Sequence, residues 1–196
     1  MVGKTRWTKF AALAAMSLVL SGCVHDAKPT GEVTRSSEPA VMKQIEYAKA
    51  HYKNANAKEF GDLGGVDCVN FTSQTLLARG WEMTPVWGQA FRNGKMEYTR
   101  AWINSTGFRD FLLKHPELAT PVSYEDRSQI VVGDIVQFDW DNSGDRDHTG
   151  IISGIREDGM LLVASHSPSA YDWPLNEVIL SSVSPNTKTY FWHLKK

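Results

Sequence analysis

The spacing of apolar residues changes once along this chain, and the change sets the class of fold. In the first part, apolar side chains recur at helical spacing, as at Val41, Ile45, Ala48 and Tyr52. After about residue 130, short runs rich in branched and aromatic residues alternate with turn residues. Helices followed by antiparallel strands predict an α+β domain.

The predicted elements follow this division. Helices are expected at 38–53, at 68–79 with Gly80 as a C-terminal cap, and at 106–115 before Pro116. Strands are expected at 130–140, 149–155, 160–166 and 188–193, with a hairpin turn at 156–159.

Residues 1–22 have the pattern of an export signal. A basic start without acidic residues precedes the apolar run 10–20, which is too short to cross a membrane. The run ends in Leu-Ser-Gly-Cys at 20–23, which resembles a bacterial lipobox. The resemblance implies cleavage before Cys23 and attachment of lipid to that cysteine. The alternative is an ordinary secretory signal with an incidental cysteine.

A polar stretch after Cys23 is typical of a flexible tether. The expected organisation is therefore a signal at 1–22, a lipidated tether at 23–37 and one domain at 38–196. The lipid would hold the domain to a membrane of the cell envelope, at the periplasmic side of the outer membrane if the host is Gram-negative.

Composition excludes several classes of function. The chain has 21 basic and 22 acidic residues, so it lacks the basic footprint that nucleic-acid binding needs. Its two cysteines cannot form a disulfide framework, and no cysteine and histidine set has zinc spacing. We expect a monomer that needs neither a metal nor an organic cofactor.

Cys68 has no disulfide partner if Cys23 carries lipid. A free thiol outside the reducing cytosol is either buried and inert or a nucleophile. Asp67 is a good N-cap residue and would put Cys68 at the first position of a helix. Backbone N–H groups and the helix dipole favour a thiolate there, and the same N–H groups could hold an oxyanion.

His148 is the candidate partner of this thiol. It opens a strand in which Gly150 and Gly154 leave room for a closely packed element, which could be the Cys68 helix. His166 ends the following strand. A three- or five-residue turn, or a bulge, would put both histidines on one face, whereas a four-residue turn would put them on opposite faces. Asp172 is the alternative third residue.

Several segments resemble the bacterial putative amidase domain family. They are Tyr47-Ala48, Tyr52, residues 64–74, Ala101-Trp102 with Phe108 and Phe111, residues 133–137 and residues 147–149. The resemblance covers about 45–180, and the chain departs from the family pattern at the inserted Val66 and in the polar residues at 167–173.

This family is similar to the papain-like hydrolases of the NlpC and CHAP type. The resemblance implies a nucleophile on a helix that packs against an antiparallel sheet. It implies that Cys68 is the nucleophile, that His148 is the base and that His166 orients His148. It also implies hydrolysis of amide bonds, often in cell-wall peptides.

The acidic loop 139–147 and three of the tryptophans can each be interpreted as structural or as functional. The acidic loop 139–147 resembles part of a calcium loop but lacks the completing glutamate, so we interpret it as a solvated connection. Trp87, Trp102 and Trp173 lie in segments that could line a cleft and stack on sugar or peptide.

The predicted function is amide or peptide hydrolysis through an acyl-enzyme thioester, with cell-wall peptide as the substrate. One alternative is a lipoprotein that binds the cell wall without turnover. Another is an acyltransferase or transpeptidase on the same fold, because an amine can resolve a thioester in place of water.

Overall fold

The computed structural model describes residues 31–182 and 184–195. The predicted signal and Cys23 lie outside the described residues, so lipid attachment stays a prediction. None of the helices within those two ranges has the length and apolarity that crossing a membrane requires.

The helices and strands alternate in a mixed order along the chain. The helices are α1 (Pro39–His51), α2 (Ala57–Phe60), α3 (Cys68–Arg79), α4 (Arg100–Ile103), α5 (Ser105–Lys114) and α6 (Leu175–Ser181). The strands are β1 (Val33–Thr34), β2 (Gln89–Arg92), β3 (Lys95–Tyr98), β4 (Ala119–Val122), β5 (Ile135–Asp139), β6 (His148–Arg156), β7 (Leu161–Ser165), β8 (Ala170–Pro174) and β9 (Lys188–Leu194).

A seven-stranded antiparallel sheet forms the centre of the domain. Its strand order is β4-β9-β5-β6-β7-β8, with β1 added to β6, and β2 and β3 form a separate hairpin. Helices α1, α3 and α5 share one core with Ile151 of the sheet, whereas α6 shares a second core with Phe138. The α+β prediction is confirmed.

The three predicted helices are confirmed. Pro39 occupies the first turn of α1, and Gly80 ends α3 in the left-handed conformation with a φ of +112°. Helix α5 begins at Ser105, because the Asn104 side chain caps it by accepting a hydrogen bond from the Gly107 N–H at 2.7 Å.

The first predicted strand is shorter than expected. Strand β5 starts at Ile135, because Gly133 has a φ of +95° and Asp134 accepts a hydrogen bond from the Val131 N–H at 2.9 Å. Residues 130–134 therefore form a turn. The short elements β1 to β4, β8, α2, α4 and α6 were not predicted.

Part of the predicted tether belongs to the domain. Val33 pairs with Arg156 in the sheet, and Arg35 forms an ion pair with Asp172. A Cβ atom at Gly154 would lie 2.5 Å from Nη1 of Arg35, so this glycine admits the N-terminal segment. The tether predicted to reach residue 37 therefore ends earlier.

Candidate active site

Cys68 is the first residue of α3, and its side chain is 7% exposed. Its Sγ lies 3.7 Å from Ser105 Oγ and receives hydrogen bonds from the backbone N–H groups of Thr149 and Val69. Burial raises the pKa of the Cys68 thiol, and the hydrogen bonds with these three groups oppose that effect. The resting group is a neutral thiol surrounded by donors that favour its ionised form.

Asp67 precedes α3 as predicted, but its carboxylate does not cap the helix. Oδ1 accepts hydrogen bonds from the Leu63 N–H at 3.1 Å and from Asn70 Nδ2 at 2.8 Å. Oδ2 pairs with His166 Nδ1 at 2.6 Å. The expected cap is therefore wrong, because the carboxylate binds the preceding turn and a distant histidine instead.

His166 is held by two acceptors. Its Nδ1 pairs with Asp67, and its Nε2 donates to the backbone carbonyl of His51, the last residue of α1, at 2.8 Å. The ring also stacks on Phe71 with 4.1 Å between centroids. Both ring nitrogens are therefore engaged in hydrogen bonds directed away from Cys68.

The predicted contact between His148 and His166 is missing from the described residues, and the hairpin register explains why. Ile155 pairs with Leu161, which leaves a five-residue connection, and a bulge lies between Ile152 and Gly154. The connection shifts the register by one residue relative to a four-residue turn, and the bulge shifts it back by one residue. Continuing the register from Ile151 and Ala164 puts Thr149 opposite His166, so the two histidines occupy opposite faces of the sheet.

His148 faces the second core. It pairs with Phe138 in the sheet, and its ring lies 5.9 Å from that of Phe138 and 6.0 Å from that of Trp140. Burial lowers the pKa of His148 to about 4, which keeps the imidazole neutral at neutral pH. Among the described residues no hydrogen bond joins His148 to Cys68, although the next residue, Thr149, contacts the sulfur.

The glycines of β6 accommodate other neighbours than α3. A Cβ atom at Gly150 would lie 2.8 Å from Val163 Cγ1 on β7, and one at Gly154 would meet the N-terminal segment. The expectation that these glycines admit the Cys68 helix is therefore wrong. Gly150 allows the neighbouring strand β7 to lie close to β6, and Gly154 allows the N-terminal segment to do so.

Asp172, the alternative third residue, is occupied elsewhere. Its carboxylate binds Arg35 through two contacts and accepts a hydrogen bond from Ser153 Oγ at 2.8 Å. Its φ of +57° is unusual for a residue other than glycine. Asp172 therefore fastens the N-terminal segment, and the described contacts do not connect it to either candidate catalytic side chain.

The three tryptophans expected to line a cleft are buried. Trp87, Trp102 and Trp173 are 1%, 0% and 5% exposed. The first two belong to the core beneath α3 and Trp173 to the core beneath α6. The expectation that these side chains line a cleft is wrong, because they are buried in two separate cores.

The acidic loop before β6 is stabilised by its own backbone. Oxygens of Asp139, Asp141 and Asp147 lie within 4.8 Å of one another. Asp139 accepts hydrogen bonds from the backbone N–H groups of Ser143 and Gly144, at 3.0 and 2.9 Å. These contacts shape the connection that leads to His148.

Sequence reasoning missed Ser105, which is 37 residues from Cys68 along the chain and yet contacts its sulfur. The available signal was Asn104, a strong N-cap type directly before Ser105. It could have located the start of α5. Nothing in the spacing of the residues indicated that this helix start meets the start of α3.

Comparisons with known proteins place the chain in a family. Residues 40–192 match the family described as "Putative amidase domain". The "Uncharacterized protein YjcM" of Bacillus subtilis (strain 168) is 30% identical over 142 residues, which cover 69% of this chain and 32% of that relative. The match thus spans about a third of the relative's length. No solved structure matches significantly.

The family's description indicates hydrolysis of amide bonds in general. Its match begins within α1 and ends within β9, so it includes both core clusters and the surroundings of Cys68. On this evidence the chain belongs to the Putative amidase domain family.

Proposed function

We propose that this protein hydrolyses amide bonds with Cys68 as the nucleophile. The observation that carries the proposal is the convergence of two backbone N–H donors and the Ser105 hydroxyl on Cys68 Sγ at the start of α3. Donors fixed in a buried site stabilise negative charge as it develops, first on the sulfur and then on the oxygen of a tetrahedral intermediate.

The reaction proceeds through a thioester. Cys68 Sγ forms a bond to the amide carbon while its proton passes to His148. The tetrahedral intermediate collapses with cleavage of the C–N bond, and His148 returns the proton to the leaving amine. Water then attacks the thioester with His148 as base, which releases a carboxylic acid and restores the thiol.

His148 suits the role of base better than His166 does. Its ring is neutral at neutral pH and makes no hydrogen bond to the side chains or backbone of the other described residues, whereas both ring nitrogens of His166 are occupied. Its ring lies beside Phe138, on the face of β6 opposite to the one that contacts the sulfur. We therefore propose that substrate entry accompanies a rearrangement of the start of β6 that turns His148 towards Cys68.

The proposed substrate is a peptide of the cell wall, and the proposed place is the cell envelope. The export-signal pattern and the Leu-Ser-Gly-Cys sequence at 20–23 support a lipid anchor, which would bring the domain to the wall. The helix start bearing Cys68 beside an antiparallel sheet supports a relation to papain-like hydrolases of the NlpC and CHAP type.

Digestion of muropeptides with the full chain, followed by mass spectrometry, tests this function. We expect Cys68→Ala to form no product and His148→Asn to slow turnover at least 100-fold, the usual contribution of a general base. His115→Asn, at a partly exposed histidine away from Cys68, is the matched control and should behave like the wild type. Equal products from the wild type and Cys68→Ala would overturn the assignment.

A second candidate is a protein that binds cell-wall peptide without turnover. It is favoured by one observation, the 7% exposure of a thiol to which no described histidine is hydrogen-bonded. Muropeptide binding by the wild type without product release would support the binder. An amide product formed by transfer of the acyl group to an added primary amine would instead support an acyltransferase.

A further inference from the structure

We propose that Ser105 is a positioning residue for Cys68, and that its hydroxyl donates a hydrogen bond to Sγ. A series of hydrogen bonds from Trp192 through Gln137 and Thr149 supports that direction. The inference rests on the proposed role of Cys68 as the nucleophile.

This series of hydrogen bonds begins at a group that can only donate. The indole Nε1–H of Trp192 donates to Gln137 Oε1 at 2.9 Å. This contact fixes which end of the Gln137 amide is oxygen, because the opposite orientation would set two donors against each other. Gln137 Nε2 then donates its two hydrogens, one to the Ser105 carbonyl oxygen at 2.9 Å and one to Thr149 Oγ1 at 3.1 Å.

The next two links run in the same direction. Thr149 Oγ1 accepts from Gln137 and donates its single hydrogen to Ser105 Oγ at 2.9 Å. Ser105 Oγ accepts that bond, and its own hydrogen has to leave in another direction. Cys68 Sγ, 3.7 Å away, is the acceptor that the described residues offer.

Burial keeps this chain intact. Gln137 and Thr149 are fully buried, and Ser105 is 4% exposed, so bulk water does not compete for the hydroxyl hydrogens. Hydrogen bonds are electrostatically stronger in such surroundings. Ser105 also opens α5, so the positive ends of α3 and α5 meet at the sulfur.

The chemical consequence is a donor already aimed at the sulfur before it ionises. When Cys68 loses its proton, the contact from Ser105 becomes charge-assisted and roughly doubles in strength. No proton travels along the chain, because each link already donates towards Cys68. Ser105 therefore acts through electrostatics, together with the backbone N–H groups of Thr149 and Val69.

The test is the pH dependence of iodoacetamide labelling of the full chain, read by mass spectrometry on the peptide that contains Cys68. We expect Ser105→Ala to raise the midpoint of the profile and to slow labelling at neutral pH about tenfold, as loss of a hydrogen bond to a charged group predicts. Thr149→Val should shift the midpoint the same way by less, and Thr149→Ser should restore it.

Ser73→Ala is the matched control. Ser73 is a buried hydroxyl on the same helix, but it contacts Trp87 and Trp102 instead of the sulfur. It should lower stability without moving the labelling profile. An unchanged profile in Ser105→Ala, or equal shifts in Ser105→Ala and Ser73→Ala, would overturn the proposal.

If Ser105→Ala fails to fold, the comparison of Thr149→Val with Thr149→Ser decides alone, and identical profiles would overturn the proposal. Labelling needs no substrate, so this result is separable from the hydrolase assignment. That assignment fails if Cys68→Ala retains muropeptide cleavage, whatever the labelling profile of Ser105→Ala.

Discussion

Asp67 and His166 form a buried pair, with 2.6 Å between Oδ2 and Nδ1, that joins the turn before Cys68 to the end of β7. The same histidine reaches the carbonyl oxygen at the end of α1. Three separate parts of the chain therefore meet at one imidazole. The contact fixes the turn that precedes Cys68 and does not involve the sulfur itself.

Replacing His166 should be costly to the fold. His166→Ala leaves the Asp67 carboxylate and the His51 carbonyl buried without this partner, so we expect a loss of about 3 kcal/mol in the free energy of unfolding. Urea denaturation measures it. The more exposed pair of Arg156 and Asp158 gives the comparison, since Arg156→Ala should cost less than about 1 kcal/mol. Equal losses would contradict the importance of the buried pair.

His148 makes stability depend on pH. Its pKa falls from 6.5 to about 4 on burial, so the unfolded chain binds a proton more readily than the folded one. The contribution is complete above pH 6.5 and is lost as the pH falls towards 4. It amounts to about 2–3 kcal/mol between pH 7 and 4.5.

Urea denaturation at pH 7 and at pH 4.5 tests this dependence. His148→Phe preserves an aromatic ring beside Phe138 and removes the titrating group. The variant should lose correspondingly less stability between the two pH values than the wild type does. An identical pH dependence in both proteins would assign the effect to other groups.

Arg35 should stabilise the edge where β1 joins the sheet. Arg35→Ala leaves the largely buried Asp172 carboxylate with the Ser153 hydroxyl alone, so we expect a loss of about 1–3 kcal/mol. Hydrogen exchange should also become faster in β1. The exposed Arg92→Ala, on the separate hairpin, should change stability by less than about 0.5 kcal/mol and leave β1 unaffected.

Gly154 should not tolerate a side chain. In Gly154→Ala the new methyl group would lie 2.5 Å from Arg35 Nη1 and 2.7 Å from Val33 Cγ1, so β1 has to shift. We expect a lower midpoint of thermal unfolding and faster exchange at Val33. Gly65→Ala, which has open space around its Cβ position, is the control and should melt near the wild-type temperature.

The helices could be predicted because local signals define them. Apolar spacing, a proline at the start of α1 and a glycine after α3 act within a few residues of where they stand. The class of fold followed from the change in period, and residue 68 was correctly placed at a helix start. Short elements such as β1 and β8 depend on distant pairing and left no periodic signal.

The surroundings of Cys68 were harder to predict, because they depend on the pairing register between strands. Whether His148 faces His166 changes with a single residue in the hairpin, and composition does not encode that residue. The role of Ser105 was hidden for a related reason. A helix start 37 residues away along the chain meets the sulfur only after both helices pack against the sheet.

The extra residue in the connection 156–160 is compensated by the bulge between Ile152 and Gly154 of β6. The lengths of these two segments are therefore coupled, both in evolution and in engineering. Deleting one residue from either would change the register between β6 and β7 by one residue, so that His148 and His166 would lie on the same face of the sheet. The pairing of His166 with Asp67 would then be lost. Compensating length changes at both places would keep the original surroundings of Cys68, so insertions and deletions here should occur as matched pairs.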